Sequence, residues 1–293
     1  MILGNGEFAI NGYRFGCGHH ANVKTLTATS IRWRVQDQSN PVGDNVLMGN
    51  DFGDPQPIKL GMFFKDATAE ELAQAAAEFA NAWASAQNRG PGEESVLEIG
   101  VHGRTLRAYG RPRDLDIDDT ELFARRHAEG TAIFDRVNGL FYGDPETGGG
   151  GQVVLNITPP QARGLVFPIV FPWTTLQGGT RQGIVSNTGL RPTNDITITI
   201  TGAITHPVVS GPGWELDIDT TLKYDQSLTI DVRNKRITRN DGASLAGTLS
   251  RKSRLSKVVL PPGESEFIFR GTSTDGSATA SIRWGSAHTS LGA

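Results

Sequence analysis

The sequence predicts a mainly β protein, with one helix in its first half and a β-sandwich or barrel in its second. Three observations carry that reading. The 293 residues include 36 glycines and 15 prolines, roughly a sixth of the chain where about 12% is usual. Apolar residues alternate with period two through most of the chain, as half-buried strands require. A single window, near residues 68–87, repeats its apolar residues with helical spacing.

The elements follow in order. Phe8-Ala-Ile10-Asn-Gly12-Tyr-Arg-Phe15 reads as two short strands about a glycine-marked turn. Ile31-Arg-Trp33-Arg-Val35 alternates strictly, so Ile31, Trp33 and Val35 share one face of a strand and the arginines the other. Residues 36–57 are polar and rich in turns, with Pro41, Gly43, Gly49 and Gly53. They read as a long loop or an extended arm, and a loop of that length is usually functional or disordered.

Thr68-Ala-Glu-Glu71 is a capping box that opens a helix over about 68–87. Asp66, Glu70 and Glu71 suit the positive end of its dipole. Leu72, Ala76, Phe79 and Trp83 form one apolar stripe. Each large side chain on it contributes about 1.5–3 kcal/mol when buried, so the helix is expected to pack on a sheet. Gly90-Pro-Gly92 terminates it.

Strands resume at 95–99 and 105–109, joined around His102-Gly103. Asn138-Gly139 between two apolar runs predicts a hairpin. Gly148-Gly-Gly-Gly151 reads as a flexible stretch, and Val153-Val-Leu155 as a further strand. Residues 159–182 form a connector punctuated by Pro and Gly, and the domain junction is placed there. Beyond it Ile196, Ile198 and Ile200 face one way and Thr197, Thr199 and Thr201 the other; Leu228, Ile230 and Val232 repeat the pattern. Turns every 8–15 residues and no helical period specify a sandwich or barrel.

Composition excludes several classes. A formal charge of −3 lacks the basic excess of a dedicated nucleic-acid surface. The lone Cys17 makes no internal disulfide, which fits a reducing compartment. The first residues lack the basic and apolar regions of a signal peptide, and no apolar run approaches the roughly 20 residues of a membrane span. A soluble protein made in a cytoplasm, with no membrane anchoring, is the expectation.

No chemical constellation emerges. Cys17, His19 and His20 lie together, but zinc needs three or four ligands in separated pairs and no second cluster follows. Asp114, Asp116, Asp118 and Asp119 depart from a calcium loop, with Asp119 where the glycine belongs and Arg125 where the glutamate belongs. They read as a solvated strand end, and Asp44, Asp51 and Asp54 carry as little weight. No nucleophile elbow, zinc-protease helix or phosphate-cradling loop occurs. Trp173 and Trp214 are candidate sugar-stacking platforms whose simpler reading is core packing. Catalytic, cofactor-binding and metal residues are therefore all expected to be none.

One ordered series remains. It runs Asn187-Thr-Gly189, Pro192, Ile196–Gly202, Leu228–Val232, Asn240-Asp-Gly242, Pro261-Pro-Gly263, Phe267–Gly271 and Ser281–Trp284. Before it come Phe8–Gly12, the Gly/Asp loop ending near Gly53-Asp54, the Ala-rich helix with Trp83, a Gly110-Arg111 turn, Phe141–Pro145 and the linker Gly164–Pro172. In that order the chain resembles siphophage distal tail proteins of the actinobacteriophage type.

The resemblance implies an N-terminal β-sandwich or split-barrel domain with one helix over 1–160, a linker over 161–182, and a galectin-like β-sandwich over 183–293. It implies a structural virion protein and no enzyme. N-terminal domains would associate as a hexameric ring between the tail tube protein and the tail-associated hub protein of the baseplate. DNA would pass through the lumen without sequence-specific binding. The C-terminal domains would face receptor-binding proteins or host glycans. The location implied is the virion tail tip, assembled in the host cytoplasm. A carbohydrate-binding module for host-surface attachment is the alternative.

Overall fold

The structure is a computed structural model that describes residues 2–29, 31–66, 68–120, 126–157, 181–273 and 276–292. The chain divides into two compact units, Met1–Gly149 with His288–Ala293, and Gly150–Ala287. The boundary expected near residue 160 therefore falls ten residues earlier, and the last residues return to the first unit. The linker expected over 161–182 lies almost wholly outside the described residues.

In the first unit the strands are β1 (Glu7–Ile10), β2 (Tyr13–Gly16), β3 (Ala21–Thr27), β4 (Ile31–Arg34), β5 (Gln38–Ser39), β6 (Val46–Leu47), β7 (Phe52–Pro55), β8 (Ile58–Lys65), β9 (Ser95–Val101), β10 (Arg104–Ile117), β11 (His127–Arg136) and β12 (Phe141–Gly143). The main sheet is antiparallel in the order β2-β1-β9-β10-β11-β8-β3, with β12 added to β10. Its two end strands, β2 and β3, approach each other, so the sheet curls towards a split barrel. Helix α1 (Ala69–Gln87) packs on the sheet through buried Leu72, Ala75, Ala76, Phe79, Trp83 and Ala86. The capping box forms as expected: Glu71 N donates to Thr68 Oγ1 at 3.2 Å and Thr68 N donates to Glu71 Oε2 at 3.1 Å.

Phe79 is the centre of the core. Its ring stands edge-on to Phe15 at 5.1 Å, Phe64 at 5.8 Å and Tyr13 at 6.3 Å, and stacks on Trp83 at 5.6 Å. After the helix, the Arg111 guanidinium donates to the carbonyls of Gly90 and Glu93 and pins the Gly90–Gly92 turn.

Two local expectations are corrected here. Asn138-Gly139 does not reverse the chain into a hairpin. β11 pairs with the far half of β10, Arg136 opposite Gly110, and β12 resumes along β10 with Tyr142 opposite Arg107. The intervening residues loop out, held by Asn138, which accepts from Leu140 N and donates to the Tyr142 hydroxyl at 2.7 Å. Gly110-Arg111 is likewise no turn but the middle of β10, ahead of a register shift between Pro112 and Leu115.

The second unit contains β13 (Gly150–Asn156), β14 (Gln182–Asn187), β15 (Ile196–Thr201), β16 (Ile204–Gly211), β17 (Trp214–Asp217), β18 (Thr221–Leu222), β19 (Ser227–Asp231), β20 (Arg236–Arg239), β21 (Gly263–Thr272) and β22 (Thr279–Gly285). One sheet runs β13-β22-β15-β19-β20 and the other β14-β21-β16-β17, with β18 on β16. The inner faces share one core that includes Ile196, Ile198, Ile200, Leu228, Ile230, Phe267, Phe269 and Ile282, the sandwich that the alternation predicts.

Of the Gly148–Gly151 run, expected to be flexible, Gly148 lies in a turn and Gly150 and Gly151 open β13. Gly151 lies opposite Trp284, and a Cβ there would come within 2.6 Å of the indole. Glycine is present at this position for close approach to the indole.

Candidate assembly surface

The segment expected as a long loop or an extended arm over 36–57 is a two-stranded ribbon that begins earlier, at Ile31. β4 pairs antiparallel with β7, placing Trp33 opposite Gly53 and Arg34 opposite Phe52. β5 continues against β6, with Gln38 opposite Leu47 and Ser39 opposite Val46. Asn40 closes the tip: its Oδ1 accepts from Val42 N at 3.1 Å and its Nδ2 donates to Asn45 Oδ1 at 2.7 Å. Gly49 N donates to Asp37 Oδ1 at 3.0 Å and ties the two halves. Nine residues from Ile31 to Ser39 give an arm about 30 Å long at about 3.3 Å per residue.

The arm has two unlike faces. On one, the Arg34 guanidinium lies over the Phe52 ring at 5.9 Å and pairs with Asp54 at 2.8 Å. On the other, Trp33 crosses Gly53, which leaves the indole without a bulky neighbour across the strand. Among the described residues thirteen large hydrophobics are exposed, and seven belong to this arm: Trp33, Val35, Val42, Val46, Leu47, Met48 and Phe52. Val42 is 92% exposed and Met48 81%.

A ribbon of two strands is marginal in water by itself and offers unpaired backbone at both outer edges. Apolar side chains concentrated on such an element mark a surface that another protein covers. An exposed strand edge is open to addition of a further strand.

Nothing comparable gathers around the candidates for chemistry. Cys17 is exposed in the turn between β2 and β3. His19 Nε2 lies 3.3 Å from Glu7 and His20 Nδ1 2.6 Å from Asp66, so the neighbouring histidines serve different carboxylates. Among the described residues no three His, Cys, Asp or Glu side chains are grouped to hold a metal. Asp114 and Asp116 lie on the end of β10, and Asp118 accepts from Thr120 N. Asp54 is paired with Arg34.

Trp214 is 7% exposed, donates to the Val259 carbonyl at 3.0 Å and meets Phe267 edge-on, so its indole is core packing. Trp173 lies outside the described residues.

The shifted groups are scattered as well. Burial pushes the Glu98 carboxyl up, the Arg136 guanidinium down and the His288 imidazole down. In the second unit a hydrogen bond from Arg239 brings Asp241 down to about 2. Perturbed groups that share a cleft would nominate an active site; these do not share one.

No protein-family model matches the chain, and no curated protein matches it by sequence. Solved structures do. The SPP1 Dit protein (gp 19.1), described as a paradigm of the hub adsorption apparatus in phages that infect Gram-positive hosts, superposes with a TM-score of 0.58 at 13% identity, covering 94% of this chain and 97% of that chain. Chains of the phage P2 baseplate in its activated conformation, with Ca and with Sr, each give a TM-score of 0.58 at 10% identity, with the same coverage. The likeness spans both units, and the fold of this chain is that of these phage tail proteins.

Proposed function

We propose that this chain is a structural distal tail protein of a siphophage, which assembles with copies of itself into a ring joining the tail tube to the tail-tip hub. The observation that carries the reading is the exposed apolar arm, on a chain whose whole length shares the fold of baseplate proteins. Contacts between unlike patches close into a ring when the rotation they impose closes. An arm from one copy laid against a sheet edge of the next is such a contact. Six copies, passage of DNA through the lumen, and attachment of receptor-binding proteins or host glycans to the second unit are the finer parts of the proposal. No catalytic step is assigned to any residue.

The test uses light scattering after size exclusion on the full chain, alone and mixed with tail tube and hub proteins of the same phage. A closed oligomer is expected. Trp33→Asp with Val42→Asp should convert it to a monomer whose circular dichroism is unchanged, because neither side chain contributes to a core. A wild-type chain that stays monomeric and joins neither tail protein overturns the reading.

A further inference from the structure

One of the arm's exposed apolar side chains can have its polarity changed, and changed back, by a chemical reaction. The chain has three methionines, Met1, Met48 and Met62. Met1 lies outside the described residues. Met62 is 1% exposed and belongs to the first core. Met48 is 81% exposed and stands on the arm. Among the arm's exposed apolar groups, the thioether is the one that oxidises reversibly, to a polar and chiral sulfoxide.

The backbone on either side of Met48 is held by groups that do not include its sulfur. Leu47 and Val46 pair with Gln38 and Ser39. Gly49 N donates to Asp37 Oδ1 at 3.0 Å, and a Cβ on Gly49 would come within 2.2 Å of the Gln36 carbonyl oxygen. The ribbon's two strands thus meet closely just behind Met48. An oxygen added to the sulfur leaves these hydrogen bonds in place, so it changes the surface chemistry of the arm and not its path.

We infer that Met48 is a site of reversible peroxide oxidation, and that its sulfoxide keeps the arm from seating on a neighbouring copy. The inference rests on the arm being the assembly surface. Hydrogen peroxide is the oxidant. A sulfur lone pair attacks one peroxide oxygen, and the S–O bond forms as the O–O bond breaks. The departing hydroxide takes the proton from the new S–OH group and leaves as water. The sulfur gives up two electrons and the peroxide gains them. A flexible, polarisable thioether adapts to an apolar partner surface. A sulfoxide oxygen is an acceptor, and the same surface buries it without a donor. Seating covers Met48, so the reaction belongs to the free chain.

The test treats the full chain with hydrogen peroxide in a Cys17→Ser background, because the Cys17 thiol is exposed and would react as well. Peptide mass mapping follows the gain of oxygen, and light scattering across a dilution series follows assembly. Met48 should oxidise while Met62 does not. The oxidised chain should need about tenfold more protein for half assembly, the fold-change that goes with one buried acceptor left without a donor. Sulfoxide reductases should restore the original midpoint. Met48→Leu should assemble and hold its midpoint through peroxide treatment, and Met48→Gln should weaken assembly without any oxidant. Three results overturn the inference while ring assembly stands: an oxidised chain that assembles like the untreated one, an equal loss in Met48→Leu, or Met62 oxidising as fast as Met48. An untreated chain that stays monomeric overturns ring assembly and this inference with it.

Discussion

Phe79→Ala removes the ring on which the first unit's core converges. The side chain is fully buried and touches four aromatic rings from β2, β8 and its own helix, with Tyr13 at the edge. Truncating a buried Phe typically costs about 3–5 kcal/mol in lost transfer energy and residual cavity. Each aromatic pair adds about 0.5–1.5 kcal/mol beyond burial, although four pairs sharing one ring do not sum independently. The expected loss is therefore at the upper end, about 4–5 kcal/mol. Phe79→Leu, which keeps most of the volume, should cost about 1–1.5 kcal/mol.

Native-state hydrogen exchange resolved by peptide is the assay, because it reports opening free energies region by region. Peptides covering α1 and β8 should lose protection by the stated amount, and those covering β15 and β22 should hold theirs, since their core is separate. A loss below about 1.5 kcal/mol, well under the usual cost of such a truncation, would refute the central role given to Phe79. So would an equal loss in both units.

Two further expectations follow from the same unit. Gly110→Ala places a Cβ on the Asp135 carbonyl across the strand pair, and overpacking of that kind should cost about 2–3 kcal/mol in a urea titration. Glu98 titrates with a definite sign: burial raises its folded pKa above the ordinary 4.5, so stability falls as the pH rises through 4.5 and the penalty is complete once the pH passes the raised folded value. Glu98→Gln should therefore be more stable than wild type at neutral pH and show no gain below pH 4.5; a gain of equal size at both pH values would contradict the burial account.

Much of this fold was legible in the sequence, for reasons that differ by element. Thr68 and Glu71 sit three residues apart and satisfy each other's backbone, so the helix start was local chemistry. The stripe from Leu72 to Trp83 and the isoleucines of β15 were legible because a buried face imposes its own period. Asn138-Gly139 misled because its preference for a turn is local, whereas the open edge of β10 beyond Gly110 is a tertiary fact that drew the chain onward. Gly151 was read as slack because the sequence does not show that Trp284 lies across it.

The arm was half legible. Its polar, glycine-rich composition announced a loop, but Val42, Val46, Leu47, Met48 and Phe52 were apolar residues too many for a solvated one. That excess was the available signal. The absence of a chemical constellation in the sequence left the functional reading to resemblance, and the arm gives it a physical basis.

The pairing of β13 with β22 sets Gly150 opposite Gly285, so the second unit's chain enters and leaves on neighbouring strands. Such strands lie about 5 Å apart. A guest whose two ends meet across so short a gap can be excised and its host resealed with a tight turn. It can equally be exchanged for a guest of another size, because closing a longer insert costs only about 0.6 kcal/mol per doubling of length. The second unit is thus joined to the rest of the chain at one pair of adjacent strands, and that junction does not fix its length.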